Sequence, residues 1–408
     1  MATPKLRFKE FDGDWFQSKI GEIFQVTSGS TPLRSDNRFF ENADIAWVKT
    51  TDLNNGLIEK TEEKISQIAL KETSVKILPK GTVFVAMYGG FNQIGRTGLL
   101  VHEAACNQAL SAIYPNEKID SYFLLTFLNH KVDDWKNFAA SSRKDPNITK
   151  SDVLAFPLKY PVKEEQTKIA AFLSAVDEKI SQLTQKHELL SQYKQGMMQK
   201  LFSQQLRFKA DDGSEFGEWR NKKVIDLFVE IKDKVLNQDI ETYSITAGKG
   251  FVSQAEKFGR DISGQQNSNY IVLKPQDFSY NKGNSKTYKY GCVYLNEFDY
   301  SIAVPNVFIS FRAKNINEVN QKFYAKLFEY HYLDKHLRLL ISSSARMDGL
   351  LNVSKDGFFE INVPYPCLEE QTKIANFLSS IDQKIEVVAQ QIEHAKQWKK
   401  GLLQQMFV

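Results

Sequence analysis

YPVKEEQTKIAAFLSAVDEKI (Tyr160–Ile180) returns as YPCLEEQTKIANFLSSIDQKI (Tyr365–Ile385), 205 residues further along the chain. Extended to Phe202 and Phe407, the alignment keeps 22 of 43 positions identical, which marks an internal repeat. Each copy reads as one long helix. A proline (Pro161, Pro366) stands just ahead of it, and paired glutamates (Glu164 with Glu165, Glu369 with Glu370) suit the positive helix start. Alternate steps of four and three residues pick out Ile169, Leu173, Val176, Ile180, Leu183, His187, Leu190, Lys194, Met197 and Leu201. In the second copy they pick out Ile374, Leu378, Ile381, Ile385, Val388, Ile392, Ala395, Lys399, Leu402 and Met406. Eight of the first ten and nine of the second ten are apolar, so the spacing predicts a coiled-coil seam over about five heptads. The alternative is two unrelated amphipathic helices, each packed on its own domain.

A second echo lies upstream. LRFKEFDGDW (Leu6–Trp15) matches LRFKADDGSEFGEW (Leu206–Trp219) with four inserted residues, and KIGEIF (Lys19–Phe24) answers KVIDLF (Lys223–Phe228). NITK (Asn147–Lys150) answers NVSK (Asn352–Lys355) just before the long helices. The chain is therefore two copies of one plan: a globular domain over residues 1–160, a helix over 161–203, a second domain over 204–365 and a second helix over 366–408. Between the anchors the copies have drifted. VTSGSTP (Val26–Pro32), IAWVKTTDLNNG (Ile45–Gly56) and AMYGGFNQIGRTG (Ala86–Gly98) have no counterpart at their offset, where the second copy carries YNKGNSKTYKYG (Tyr280–Gly291). A shared frame with different inserts points to two reading heads for two different targets.

Helices of about 40 residues make a rod of roughly 60 Å. The second domain starts where the first helix stops and ends where the second helix starts, so a parallel pair would stretch it along the whole rod. The helices are expected to run antiparallel, with a pseudo-two-fold axis, one head at each end and Phe407 returning close to Leu6. In that register Gly196 and Gly401 fall opposite Ser379 and Ser174, an expected place of close helix approach. The expected fold class is α+β: two globular α/β domains separated by a long antiparallel two-helix coiled coil.

The chain's 408 residues exceed one ordinary domain. Apolar residues make up 42%, charged residues 25% and aromatics 12%, a globular profile. The net charge of +4 is too small to announce a nucleic-acid binder, so any DNA contact must come from local patches. Cys106, Cys292 and Cys367 stand far apart, which argues against a disulfide scaffold or zinc site and suits a reducing compartment. With no apolar h-region in MATPKLRFKEF and no run long enough for a membrane span, a cytoplasmic protein is expected.

Catalytic signatures do not hold up. GxxxxGK[ST] and HExxH are absent, and the six histidines are scattered. Asp145-Pro146-Asn147 lacks the second proline and the aromatic that a base-flipping amino-methyltransferase box would need. GGFNQIGRTG has glycines at the wrong spacing for a dinucleotide site and reads as a flexible loop. No catalytic residue, no metal ligand and no cofactor is assigned to the chain. What remains is recognition. Loops that combine glycine with Asn, Gln, Ser, Lys, Arg and Tyr suit base edges and phosphates, although solvated turns favour the same residues. The candidates are Tyr88, Asn92, Gln93, Arg96, Arg143 and Lys144 in the first domain. In the second they are Tyr280, Asn281, Lys282, Asn284, Ser285, Lys286, Tyr288 and Arg346.

The alternation of variable domain and helix, the LRF…W opening, GSTP, IAWVKTTDL, CNQ (Cys106–Gln108), the doubled EEQTKIA and the KxGxxxxxF endings carry a family likeness. Over essentially its whole length the chain resembles the specificity subunit of Type I restriction-modification systems. The resemblance implies two target-recognition domains, each reading half of an interrupted double-stranded DNA site. It implies helices that act as a ruler and hold two methyltransferase (modification) subunits. Those partners would bring S-adenosylmethionine and methylate adenine; restriction subunits that join them would bring ATP and magnesium. The matched surface around Glu164, Glu165, Gln166 and Lys168, and Glu369, Glu370, Gln371 and Lys373, is the expected partner-docking site, because two copies of one partner explain a doubled motif. A stand-alone DNA-binding regulator with a coiled-coil spacer, or a hub that only joins proteins, are the competing readings.

Overall fold

The computed structural model describes residues 4–139, 147–258, 268–283, 288–341 and 351–407. The chain divides into two compact units, Met1–Gln185 with Ala389–Val408, and Lys186–Val388.

Among the described residues the first unit holds ten short strands. They are β1 (Phe16–Lys19), β2 (Val26–Ser28), β3 (Ile45–Val48), β4 (Gly56–Ile58), β5 (Glu63–Ile65), β6 (Val83–Ala86), β7 (Thr97–Leu100), β8 (Ala105–Cys106), β9 (Leu110–Ile113) and β10 (Pro157–Tyr160). Its helices are α1 (Ile20–Ile23), α2 (Gln67–Glu72), α3 (Ser121–His130), α4 (Lys150–Ala155) and the first part of α5 (Lys163–Phe202). A five-stranded sheet runs β2-β9-β6-β7-β4, a three-stranded one β5-β3-β8, and β1 pairs with β10. Strands β6, β7 and β9 are buried on both faces, which suits their Val, Leu, Ile and Phe content.

The second unit holds β11 (Arg220–Lys223), β12 (Phe228–Glu230), β13 (Tyr243–Thr246), β14 (Gly250–Ser253), β15 (Ile271–Leu273), β16 (Phe278–Asn281), β17 (Cys292–Leu295), β18 (Ile302–Val304), β19 (Ile309–Ala313) and β20 (Asn362–Tyr365). Its helices are α6 (Val224–Leu227), α7 (Gln254–Phe258), α8 (Gln321–Glu329), α9 (Asp334–Leu340) and α10 (Lys355–Phe359), with the start of α11 (Leu368–Met406). The main sheet runs β12-β19-β16-β17.

That order is the order β2-β9-β6-β7 of the first unit. The shared frame therefore extends into the sheets, although their sequences have drifted beyond recognition. The flanks repeat as well. Strands β1 and β11 each lead into a one-turn helix and pair antiparallel with the strand that precedes the long helix, β10 or β20. NITK and NVSK supply the caps of α4 and α10, where the Thr149 and Ser354 hydroxyls accept from backbone amides. What differs is the decoration: β3, β5 and β8 on one side, the β13–β14 and β15–β18 ribbons on the other.

The long helices behave as the seam predicts, since every residue of the two stepped series is buried or half-buried. In the first unit Ile169, Leu173 and Val176 from the start of α5 share a core with Leu402, Met406 and Phe407 from the end of α11. In the second, Met198, Leu201 and Phe202 from the end of α5 share one with Ile374, Leu378 and Ile381 from the start of α11. Start meets end in both units, so the pairing is antiparallel. The chain also returns on itself as expected, because the Leu6 amide donates to the Gln405 carbonyl at 2.9 Å. The second unit makes the same bond locally, from Leu206 to the Lys200 carbonyl at 3.1 Å. One expectation fails. A Cβ at Gly196 or Gly401 would meet nothing within 4 Å, so these glycines face open space and are no point of close approach.

Candidate nucleic-acid interface

The two loops nominated separately turn out to be one element. GGFNQIGRTG connects β6 to β7, and NKGNSKTYKYG connects β16 to β17, the corresponding strands of the two sheets. In the first loop Gly89, Gly90 and Gly95 have φ of 113°, 72° and 77°. The Gln93 and Ile94 amides both donate to the Gly90 carbonyl, and the Gly95 amide donates to that of Ala86. Ile94 is buried as an anchor. The loop is thus a hydrogen-bonded platform. Gly95 is required for it, since a Cβ there would stand 2.3 Å from Cδ1 of the fully buried Trp135. Gly95→Ala combines that clash with a left-handed backbone, and a loss of about 2–4 kcal/mol in chemical denaturation is expected.

On this platform Tyr88, Phe91 and Asn92 are exposed, with Gln93 and Arg96 beside them. Phe91 was not among the sequence candidates; an exposed Phe between glycine and an amide pair is the signal that could have found it. Arg143 and Lys144 lie outside the described residues.

In the second loop the candidates divide. Tyr280 is withdrawn, because it is fully buried, its ring stacks on Phe358 and its hydroxyl donates to the Tyr290 carbonyl at 2.7 Å. Residue 280 is the third of four in β16, whose first three residues are all buried. Asn281 is committed to the loop itself: its side-chain amide donates to the Ile245 carbonyl and accepts from the Gly283 amide. Lys282 and Tyr288 are half-buried at the loop's two ends, with Tyr288 against His331. Asn284, Ser285, Lys286 and Arg346 lie outside the described residues.

Among the described residues each unit holds a cavity, and that of the second unit borders its loop at Tyr288 and Gly291. One of about 390 Å³ in the second unit is lined by Tyr288, Tyr294, His331 and the Gly248-Lys249-Gly250 turn of the β13–β14 hairpin. Lys249 is exposed at its rim and was missed by the sequence reading, although a lysine between two glycines in a hairpin is a detectable phosphate-contact pattern. The other, about 220 Å³ in the first unit, is lined by Thr27, Ser28, Ser30, Ser74, Lys76 and Cys106. Burial pushes the Cys106 thiol up to about 12, which disfavours the thiolate. Hydroxyls with one ammonium suit a phosphate oxygen. Among the described residues no group of three or more His, Cys, Asp or Glu is placed to hold a metal, and no helix is long and apolar enough to cross a membrane.

The second glutamate and the glutamine of each EEQ motif face inward. Arg7 Nε and Nη2 donate to the two carboxylate oxygens of fully buried Glu165 at 2.8 and 2.7 Å. Arg207 does the same to Glu370 at 3.0 and 2.8 Å, and Trp219 Nε1 adds a third donor at 2.8 Å. These fork-on-fork bonds, opposed by desolvation and assisted by the carboxylates' charge, hold both guanidinium pKa values above the ordinary arginine value. Gln166 accepts from the Asp120 amide and donates to the Pro161 and Lys118 carbonyls. Gln371 repeats this with the Asn320 amide and the Pro366 and Glu318 carbonyls. Glu165, Gln166, Glu370 and Gln371 are therefore clamps between each long helix and its own domain, which corrects their assignment to a partner-docking surface. Lys168 pairs with Glu10 over the Phe8 ring, and Lys373 with Asp211. Glu164 and Glu369 remain exposed.

A family profile described as the Type I restriction modification DNA specificity domain matches residues 12–192 and again 217–397. The chain belongs to this family. The two matches coincide with the two halves of the repeat. The MjaVIII specificity subunit of Methanocaldococcus jannaschii is 25% identical over 97% of this chain and 94% of its own length. The MjaIX subunit of the same organism is 30% identical over 45% of this chain and 44% of its own. The EcoR124I/EcoR124II specificity subunit of Escherichia coli is 24% identical over 44% and 45%. These last two alignments thus cover less than half of each relative, about the extent of one repeat. The S subunit of M. genitalium shares the fold with a TM-score of 0.62 at 17% identity, covering 100% of this chain and 99% of that one. A structure described as bearing on complex assembly and conformational transition of the type I system matches at 0.53 and 18% identity, covering 96% and 97%.

Proposed function

We propose that the chain is the non-catalytic DNA-reading subunit of a Type I restriction-modification complex in the cytoplasm, with each head reading one half of an interrupted duplex site. The observation that carries the reading is the pair of corresponding hairpin loops, β6–β7 and β16–β17: same frame, same sheet position, unrelated sequences. Two heads with a shared frame and different loops at the same sheet position are what a bipartite asymmetric site requires. The helices dock two adenine methyltransferase subunits, and through them restriction subunits. S-adenosylmethionine, ATP and magnesium belong to those partners. With the EEQ carboxamides and buried carboxylates committed internally, the docking surface is reassigned to the outward face of α5 and α11 around Glu164 and Glu369.

Mapping methylated adenines in the host with and without this gene tests the reading. Asn92→Ala with Gln93→Ala is expected to relax specificity in one half-site alone, by about 1–3 kcal/mol per base contact. Lys76→Gln or Lys249→Gln is expected to weaken all DNA alike and lower the salt slope by about one. Methylation that is unchanged when the gene is deleted would overturn the proposal.

A further inference from the structure

Each apolar seam is broken by one lysine at the same place, Lys194 in α5 and Lys399 in α11, counterparts across the repeat. In the first unit Lys399 Nζ meets Asp177 Oδ1 of α5 at 2.5 Å. In the second, Lys194 meets Asp382 of α11. Asp177 and Asp382 are counterparts too, so the same acid-to-base pair is made in both units. The pairs are sheltered, with side-chain exposures of 21% and 32% in the first and 12% and 30% in the second. Each aspartate also holds its head. Asp177 Oδ2 accepts from the Tyr122 hydroxyl of α3 at 2.6 Å, and Asp382 Oδ2 meets Lys326 of α8 at 2.5 Å.

An apolar seam alone leaves register open, because sliding one helix by a heptad returns apolar residues to apolar positions. A single polar position that finds its partner in only one register removes that freedom. We propose that Asp177–Lys399 and Asp382–Lys194 are one register lock used twice, setting how the long helices align and tying that alignment to α3 and α8. These four are positioning residues. Their consequence for DNA, the length of the unread spacer in the site, rests on the function proposed above; the lock itself does not.

The test uses the full chain. A zero-length carbodiimide, which joins only carboxylates and amines already in contact, is expected to yield Asp177–Lys399 and Asp382–Lys194 peptides by mass spectrometry. Asp177→Lys or Lys399→Asp alone should lower the unfolding midpoint and weaken protection of the interrupted site roughly tenfold. The double exchange, Asp177→Lys with Lys399→Asp, should recover most of both. It should also restore the cross-link between positions 177 and 399, with amine and carboxylate having changed places. A lysine and aspartate that merely decorate the helix would show no such rescue. Absence of both wild-type cross-links, or a double exchange no better than the single changes, would overturn the lock. Cross-linking and unfolding need no DNA. Their success with an unchanged methylation pattern would support the lock and count against the DNA reading instead.

Discussion

Glu370→Ala is expected to cost the second unit about 3–5 kcal/mol, the loss that follows when one partner of a buried pair is removed and the other charge is stranded. Arg207 would lose both of its fork contacts, and the Trp219 indole its acceptor, at a point where helix, opening segment and domain meet. Glu165→Ala should do the same to the first unit through Arg7. The neighbouring exposed positions provide the control: Glu369→Ala or Glu164→Ala should change stability by no more than about 0.5 kcal/mol. If these are docking residues, reversing them to lysine should still weaken capture of the methyltransferase. Urea denaturation of each variant, with pull-down of the partner from the same preparations, separates the two roles. Equal losses at Glu369 and Glu370 would show that the inward clamp does not hold the fold.

A fragment of residues 1–204 contains one head and the whole of α5, with the seam of Ile169, Leu173 and Val176 uncovered. A second copy can cover it, with Met197, Leu201 and Phe202 standing where Leu402, Met406 and Phe407 stand in the whole chain. We expect a symmetric dimer in light scattering, and with the methyltransferase a palindromic methylated site built from the first half-site twice. On sequence alone Lys194 is a poor fit opposite an apolar residue, yet the observed register sets it against the twin's Asp177, so this position strengthens the pairing. His187 opposite the Leu183 region remains the weaker spot. Asp177→Lys and Lys194→Asp fragments should each dimerise poorly alone and associate when mixed, because mixing replaces like-charge contacts with an opposite-charge pair. Like charge in place of an ion pair on each side is worth about 1–3 kcal/mol of coupling, so homodimers should weaken tenfold or more. A strictly monomeric fragment, or homodimers indifferent to charge, would defeat the prediction.

The long helices are legible in the sequence because heptad spacing is a local pattern, and their direction because chain connectivity leaves one economical solution. Matching halves of the sheets are not legible, since β6 and β16 share burial and order but hardly a residue. A pleated strand buried on both faces accepts any mixture of Val, Phe, Ile and Tyr. Composition finds the recognition loops, but it cannot tell Asn92, which is exposed, from Asn281, whose amide is spent on its own loop. Tyr280 misleads because composition does not show that β16 stays buried as far as this residue, one position before the half-buried Asn281. The EEQ motif is the instructive error. Identity between the two copies suggests a shared partner, whereas a buried carboxylate answered by an arginine some 160 residues upstream imposes the same identity with no partner at all.

The bond from the Leu6 amide to the Gln405 carbonyl has its twin in the bond from Leu206 to Lys200, and only the second is bridged by continuous peptide. The two junctions are thus equivalent in hydrogen bonding whether or not peptide crosses them. Which head is translated first is then a property of the gene and not of the fold. Cutting between Phe202 and Leu206 and joining Phe407 to Leu6 through a short linker should produce a chain that reads the same site in the same orientation.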